Sequence, residues 1–304
     1  MNFNELKSVE ILDYEKYFTI HWKMTRWCNY NCSYCIQHHN YESNRIKYDY
    51  KKFSTYAKKI NKWMKSVNIP MKLHLIGGEI CYMDLIKVLE YIDAENFNKL
   101  SIVTNFSGSL IFFTDLRDYC QSRNIELQIC ASLHDQYVKV KDFVEKAKEL
   151  KDCIHIQFTV TDTNTDNFVE LVDLCTKYDL QYKTEGDKKG KRPLQKYDTC
   201  SADFPIKAKV KYKTGDETIM PIPEFRHQII FNPKQRIRCE SKKIFLIDFD
   251  GKIYDGTCVF RRFIKDFKDA DENLLVEYLQ NSGSKRCRRN YCQLCYPVKI
   301  IPDI

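Results

Sequence analysis

Five short β-rich runs begin at residues 72, 100, 126, 154 and 180, so successive starts are 28, 26, 28 and 26 residues apart. They are Lys72–Ile76, Leu100–Thr104, Glu126–Ala131, Ile154–Val160 and Leu180–Lys183, and Tyr17–Lys23 reads as a strand before them. The segments between are amphipathic. In Tyr48–Met64, Phe53, Tyr56, Ile60 and Trp63 fall three or four residues apart on one helical face. Asp135–Leu150 and Asn164–Tyr178 behave likewise, with Asn164 or Thr165 as a cap for the latter. A strand–helix repeat at constant period is joined by right-handed crossovers and makes a parallel sheet. Six units are too few for an eight-fold barrel. The pattern predicts an α/β fold, an open or partial (β/α)6 TIM-like barrel over residues 17–185, with its site at the C-terminal ends of the strands.

The pattern changes after about residue 183. Lys183–Lys213 holds ten Lys/Arg against four Asp/Glu, a net +6 of the chain's +8. Pro193, Pro205, Pro221 and Pro223 break this part of the chain into loops and short strands. Ile244–Phe249, Asp250-Gly251 and Lys252–Tyr254 give a hairpin signal, because Asp-Gly supplies the positive φ of a tight turn. A short helix, Glu272–Gln280, and a cysteine-rich tail complete the chain. The chain thus divides into a lead-in (1–16), the barrel (17–185), a basic connecting region (186–238) and a small cysteine-rich hairpin/helix domain (239–304). The charged N-terminus is no secretory signal, and no apolar run is long enough to span a membrane, so a cytoplasmic protein is expected.

Fourteen cysteines in 304 residues are an anomaly for a chain expected to keep its thiols reduced, and clusters of them read as metal or catalytic sites. Cys28, Cys32 and Cys35 form C-x3-C-x2-C on the loop after the first strand. Structural zinc prefers four protein ligands; three thiolates leave one metal position open to an outside molecule, and such thiolates hold iron–sulfur clusters. Zinc, or free cysteines, is the alternative. Gly77-Gly78-Glu79 follows the second strand. Two glycines let the backbone approach a ligand closely, and a carboxylate can fix an amino group; a tight turn with an exposed Glu is the plainer alternative. Both motifs end neighbouring strands, so both belong to one rim.

With these motifs the sequence resembles the radical S-adenosylmethionine enzymes over about residues 17–185. The resemblance rests on C-x3-C-x-aromatic-C with Tyr34 as the aromatic, on Gly-Gly-Glu, and on Thr104-Asn105 and Ser132-Leu133-His134 ending the third and fourth barrel strands. It implies that Cys28, Cys32 and Cys35 hold a 4Fe–4S cluster whose open iron is chelated by S-adenosylmethionine. It also implies that Gly77, Gly78 and Glu79 bind the cofactor's amino end, that Tyr34 contacts adenine through its backbone, and that Thr104, Asn105 and Ser132 belong to the cofactor site. Ile80 replaces the proline usual after Gly-Gly-Glu. The chemistry implied is reductive cleavage to a 5′-deoxyadenosyl radical that abstracts a hydrogen atom from substrate, with a flavodoxin or ferredoxin as electron donor. His134 and Cys81 are the candidate catalytic side chains.

A second constellation lies in the tail. Cys239 and Cys258 flank the Asp-Gly hairpin and Cys292 and Cys295 form C-x2-C, so one four-thiolate site is geometrically cheap, and zinc suits its ligand count. Beside the barrel motifs it is similar to the twitch domain, a shortened SPASM domain, which implies one auxiliary iron–sulfur cluster. Cys200 and Cys287 stay unassigned. Cys120, Cys130, Cys153 and Cys175 read as buried small hydrophobes. His38 and His39 read as a solvated helix start; His21 and His74 sit on strands and could face into the barrel. The basic stretch reads mainly as a solvated face, with an anionic substrate as the alternative and little case for nucleic acid. Only about 16 residues precede the first strand read, too few for a leader-binding domain. The expectation is therefore a radical enzyme oxidising a small polar substrate (a sugar, sugar nucleotide or aminocyclitol) with the auxiliary cluster as electron acceptor. The alternatives are a peptide-modifying maturase and, more distantly, a zinc adaptor.

Overall fold

The computed structural model describes residues 5–12, 16–35, 49–186, 199–201, 207–221, 236–240, 244–256, 262–281, 285–286 and 299–303. After strand β1 (Leu6–Ile11), β2 (Phe18–Lys23), β3 (Met71–Ile76), β4 (Phe97–Thr104), β5 (Glu126–Leu133), β6 (Ile154–Val160) and β7 (Gln181–Gly186) lie side by side in sequence order, all parallel. The connecting helices are α1 (Tyr50–Lys65), α2 (Leu85–Leu89), α3 (Leu110–Ser122), α4 (Val140–Ala147) and α5 (Thr165–Tyr178). The five strands expected from the 26–28-residue period, and the strand expected before them, are thus present, with ends shifted by up to three residues. The sheet stays open rather than closing into a barrel.

Each central strand alternates, and the two faces differ sharply. On one side Phe18, Ile20 and Trp22 of β2 pack with Phe53, Ala57, Ile60, Trp63 and Met64, the buried stripe of α1. Asp49 starts that helix by accepting the Lys52 N–H at 3.0 Å, and Lys62 and Lys65 sit in its last turn, where the carbonyl ends favour cations. The other side of the sheet is polar. Thr19, Lys72, Lys99 and Glu126 share one row, and His21, His74, Ser101 and Gln128 the next. His21 and His74 stand with ring centroids 4.4 Å apart, and Lys99 pairs with Glu126 at 2.8 Å.

The C-terminal hairpin extends this sheet. β12 (Ile244–Ile247) pairs in parallel with β2, and β13 (Lys252–Asp255) and β14 (Arg262–Asp266) follow antiparallel. All four residues of β12 are buried, and Phe245 meets Phe18 edge-on at 5.3 Å. A strand apolar on both faces needs cover on both sides, which the edge of β2 under α1 supplies. The turn between β12 and β13 is the expected Asp-Gly turn, with Gly251 at φ +81°. Helix α6 (Leu274–Asn281) follows, two residues later than the sequence indicates. Trp63 Nε1–H donates to the Asp271 carbonyl at 2.7 Å, tying α1 to this segment.

At the opposite edge, the two-residue β8 (Thr199–Cys200) pairs with β7. A second, six-stranded sheet has the order β10-β9-β1-β16-β11-β15, built from β9 (Lys207–Tyr212), β10 (Glu217–Pro221), β11 (Arg236–Glu240), β15 (Lys285–Arg286), β16 (Lys299–Asp303) and β1. Strand β1 falls in the segment that reads from sequence as a lead-in, and it pairs with β9 some two hundred residues away, beyond the reach of local pattern. Part of the basic stretch is β9, where Lys209 and Lys211 pair with Glu217 at 2.7 and 3.3 Å. No helix among the described residues is long and apolar enough to cross a membrane.

Candidate active site

The site is built where β2 and β3 end. Met24 N–H donates to the Ile76 carbonyl at 2.9 Å, Gly78 N–H to Thr25 at 2.8 Å and Glu79 N–H to Trp27 at 2.7 Å. The two strand ends therefore run on as a tight pair. A Cβ on Gly77 would stand 2.6 Å from the Thr25 carbonyl oxygen, and one on Gly78 only 1.8 Å from that of Trp27. No other residue type permits this approach, and it delivers the chain directly to Cys28.

Glu79 is fully buried, so the alternative of an exposed turn glutamate is excluded. Its Oε1 accepts from Ile80 N–H and Cys81 N–H, both at 2.9 Å, and from the Thr104 hydroxyl at 2.6 Å. Its Oε2 accepts from Asn105 N–H at 2.5 Å. The carboxylate thus staples the end of β3 to the end of β4, and Thr104 and Asn105 act first as its donors. Asn105 also reaches the cysteine loop: its Nδ2 donates to Asn29 Oδ1 at 2.8 Å and lies 3.8 Å from Cys28 Sγ. Asn29 in turn donates to Ser107 Oγ at 3.1 Å.

Cys28, Cys32 and Cys35 are each partly buried. Burial pushes the Cys28 thiol up to about 11 and the Cys32 thiol up to about 12, and the neighbouring cysteines push both further in that direction. The three sulfurs therefore lie within electrostatic range of one another, and Cys28 and Cys32 stay protonated at neutral pH unless a metal centre supplies the balancing charge. Among the described residues no three His, Cys, Asp or Glu side chains converge on a point that could hold a metal ion. One tetrahedral zinc would need its thiolates at about 2.3 Å from one centre, whereas a four-iron cluster spreads three thiolates over three irons. Three mutually coupled thiols beside a glycine cradle are a donor set of the type that holds iron–sulfur clusters.

The opposite wall comes from the segment after β5. His134 Nδ1 lies 2.8 Å from the Tyr34 hydroxyl and 3.2 Å from Cys32 Sγ. Tyr137 stacks on Tyr30 at 4.1 Å, and its hydroxyl accepts Asn31 N–H at 2.7 Å. Gln136 donates to Ser33 Oγ at 3.3 Å. This explains why α4 begins at Val140 rather than near Asp135: Tyr137 and Val138 turn back onto the His134 carbonyl, and the turn presents Tyr137 to the cysteine loop. Ser107, Gln136 and Tyr137 carry no motif and arrive on the segments after β4 and β5, while Asn29 sits inside the cysteine loop itself. Asn164 is likewise a turn-builder. It accepts Thr161 N–H at 2.7 Å and makes no side-chain cap to α5.

Ser132 lies on β5 in register with Gln157 of β6 and is half-buried. Cys81 is packed in the core beside Ser107, its thiol 3.9 Å from that hydroxyl and held well above the ordinary thiol range by burial. Cys120, Cys130 and Cys175 are buried. Cys200 lies on β8 opposite Lys183, and Cys239 lies on β11. Cys258, Cys287, Cys292 and Cys295, with His38 and His39, lie outside the described residues. A cavity of about 460 Å³ adjoins the same rim, lined by Met24, Thr25, Arg26, Lys52, Phe53 and Phe249.

No family model matches the sequence, and no curated protein matches it. Solved structures share the fold. Histidine-tagged anSMEcpe with bound AdoMet superposes with a TM-score of 0.55 at 14% identity, over 88% of this chain and 80% of that one. Native anSMEcpe with bound AdoMet and Kp18Cys peptide gives 0.52 at 14% identity, over 87% and 80%. Streptococcus suis SuiB bound to S-adenosylmethionine is more distant, at 0.42 and 16% identity; the match takes in 61% of this chain and 44% of that one. The chain thus shares with the anSMEcpe structures a mixed α/β fold, here with a large parallel sheet left open.

Proposed function

We propose that this chain is a radical S-adenosylmethionine enzyme whose substrate is a peptide or a peptide segment of a protein. The observation that carries the reading is the joint rim. The Cys28–Cys35 loop, the Gly77-Gly78 cradle and the Glu79 staple meet at the C-terminal ends of adjacent parallel strands, where an open α/β sheet places its ligands. Cys28, Cys32 and Cys35 would hold the 4Fe–4S cluster, and Gly77, Gly78 and Tyr34 would lie against S-adenosylmethionine. When bound, these groups supply hydrogen-atom abstraction by a 5′-deoxyadenosyl radical. The chain's own part is to fix the loop through Asn105, His134 and Tyr137, to keep Glu79 oriented, and to exclude water.

The small polar substrate expected from the sequence rested on the length of chain before the first strand read and on the basic stretch. β1 occupies part of that N-terminal segment, and Lys209 and Lys211 of the basic stretch pair with Glu217. The peptide reading has support of its own, because a shared fold is seen with a peptide bound in anSMEcpe. The cavity at the rim sets apolar Met24, Phe53 and Phe249 among both basic (Arg26, Lys52) and acidic (Asp49, Asp250) groups, a mixed lining compatible with a peptide side chain. An auxiliary cluster on Cys239, Cys258, Cys292 and Cys295, and a flavodoxin or ferredoxin donor, complete the proposal.

The test is 5′-deoxyadenosine release by the anaerobically reconstituted protein with dithionite and S-adenosylmethionine. A randomised peptide library is expected to raise release several-fold over the uncoupled rate. A panel of sugars, sugar nucleotides and aminocyclitols is expected to leave it unchanged. Stimulation by the second panel alone would return the substrate to the small-molecule class.

A further inference from the structure

Among the side chains around the cysteine loop, His134 is placed in a way that neither motif nor fold assigns. It follows β5 directly, and its Nδ1 stands 3.2 Å from Cys32 Sγ. The ring is boxed. Tyr34 lies nearly parallel at 5.7 Å between centroids, and Tyr30 meets it edge-on at 5.8 Å. Tyr30 is itself stacked on Tyr137, so the box is anchored on both sides of the loop. The ring is therefore oriented toward the sulfur before any cofactor arrives.

A thiolate bound to iron has no proton and can only accept a hydrogen bond. An imidazole can present an N–H at Nδ1, while its other nitrogen is free to accept or donate elsewhere. Facing a thiolate, that proton belongs on Nδ1, with the Tyr34 oxygen at 2.8 Å sharing it. Cys28 has donors of the same kind: Tyr30 N–H at 3.4 Å and Asn105 Nδ2 at 3.8 Å. Hydrogen bonds to cluster sulfurs stabilise the more negative, reduced state and so raise the reduction potential.

We propose that His134 is a positioning residue that donates Nδ1–H to Cys32 Sγ and thereby raises the reduction potential of the cluster held by Cys28, Cys32 and Cys35. This rests on the reading that these three cysteines hold a 4Fe–4S cluster. It gives His134 a place behind the cluster instead of at the substrate.

The test is a redox titration of the full-length reconstituted protein without S-adenosylmethionine, poised with dithionite and viologen mediators and read by the electron paramagnetic resonance of the reduced cluster. His134→Phe keeps a ring in the box and removes the donor. His134→Asn places an amide N–H near the position of Nδ1. At a fixed potential, the ratio of reduced to oxidised cluster is expected to fall about tenfold in the Phe variant, about 59 mV for a one-electron couple. The Asn variant is expected to stay close to the parent, with equal iron content in all three proteins. An unchanged Phe variant, or an Asn variant that shifts as far as Phe, overturns the donor role. Iron lost only from the Phe variant would make His134 an assembly residue and also overturn it. Iron absent from the parent as well would sink the cluster reading itself, a result distinguishable from the others.

Discussion

Gly78→Ala is expected to abolish iron incorporation and to destabilise the chain by about 3–5 kcal/mol, the cost of overpacking plus a lost hydrogen bond. The added methyl would sit 1.8 Å from the Trp27 carbonyl oxygen, 2.4 Å from its carbon and 3.0 Å from Cys28 N. All three are backbone atoms, so no rotamer change relieves the clash. The Trp27 carbonyl must move, and with it go the hydrogen bond from Glu79 N–H at 2.7 Å and the position of Cys28. Thermal unfolding and iron analysis of the variant check this together. A variant that melts with the parent and binds the same iron would show that the two strand ends are not locked at this contact.

Glu79→Ala is the second large effect. The carboxylate is fully buried and accepts four hydrogen bonds from residues 80, 81, 104 and 105. Truncation leaves three backbone N–H groups and a hydroxyl facing a cavity, and each orphaned buried donor costs about 1–3 kcal/mol. Relaxation and entering water recover part of this, so a net loss of about 3–4 kcal/mol in chemical denaturation is expected. Glu79→Gln keeps the oxygen facing Ile80, Cys81 and Thr104 but turns an NH2 toward Asn105 N–H, so it should fall between the parent and Ala. Because Asn105 also reaches Cys28, both variants are expected to loosen the cysteine loop and lower iron content, Ala more than Gln. Equal stability of all three proteins would remove the staple from the account.

The parallel sheet was legible in the sequence because its signal is local and repeated: five apolar runs at nearly constant spacing, with helical stripes between several of them. The cysteine motif and Gly-Gly-Glu stood out for the same reason, being short and contiguous. Long-range pairings were not. Ile244–Ile247 reads as half of an isolated hairpin, yet its double-sided burial is satisfied only beside β2, more than two hundred residues earlier. β1 reads as a charged lead-in, and its partner β9 lies inside a run of lysines whose charge hides the alternation of Ala208 and Val210. At the site, His134 was singled out as a polar group at the rim, but its contact with Cys32 depends on the turn that also brings in Tyr137. Asn29, Gln136 and Ser107 carry no signature, because single hydrogen bonds to a loop leave no periodicity. The polar inner face of the sheet, with His21, His74, Lys72 and Lys99 in adjacent rows, was visible only in part, since register decides which residues share a row.

The central claim is that Cys28, Cys32 and Cys35 hold an iron–sulfur cluster at this rim. Iron, sulfide and zinc content of anaerobically reconstituted protein, measured beside the triple Cys28/Cys32/Cys35→Ala variant, tests it most directly. The account predicts about eight irons per chain falling to about four, one four-iron cluster being lost and an auxiliary one retained, with S-adenosylmethionine cleavage disappearing in the variant. About four falling to none would keep the radical cluster and remove the auxiliary one. Zinc in place of iron, or iron unchanged by the triple substitution, would contradict the claim.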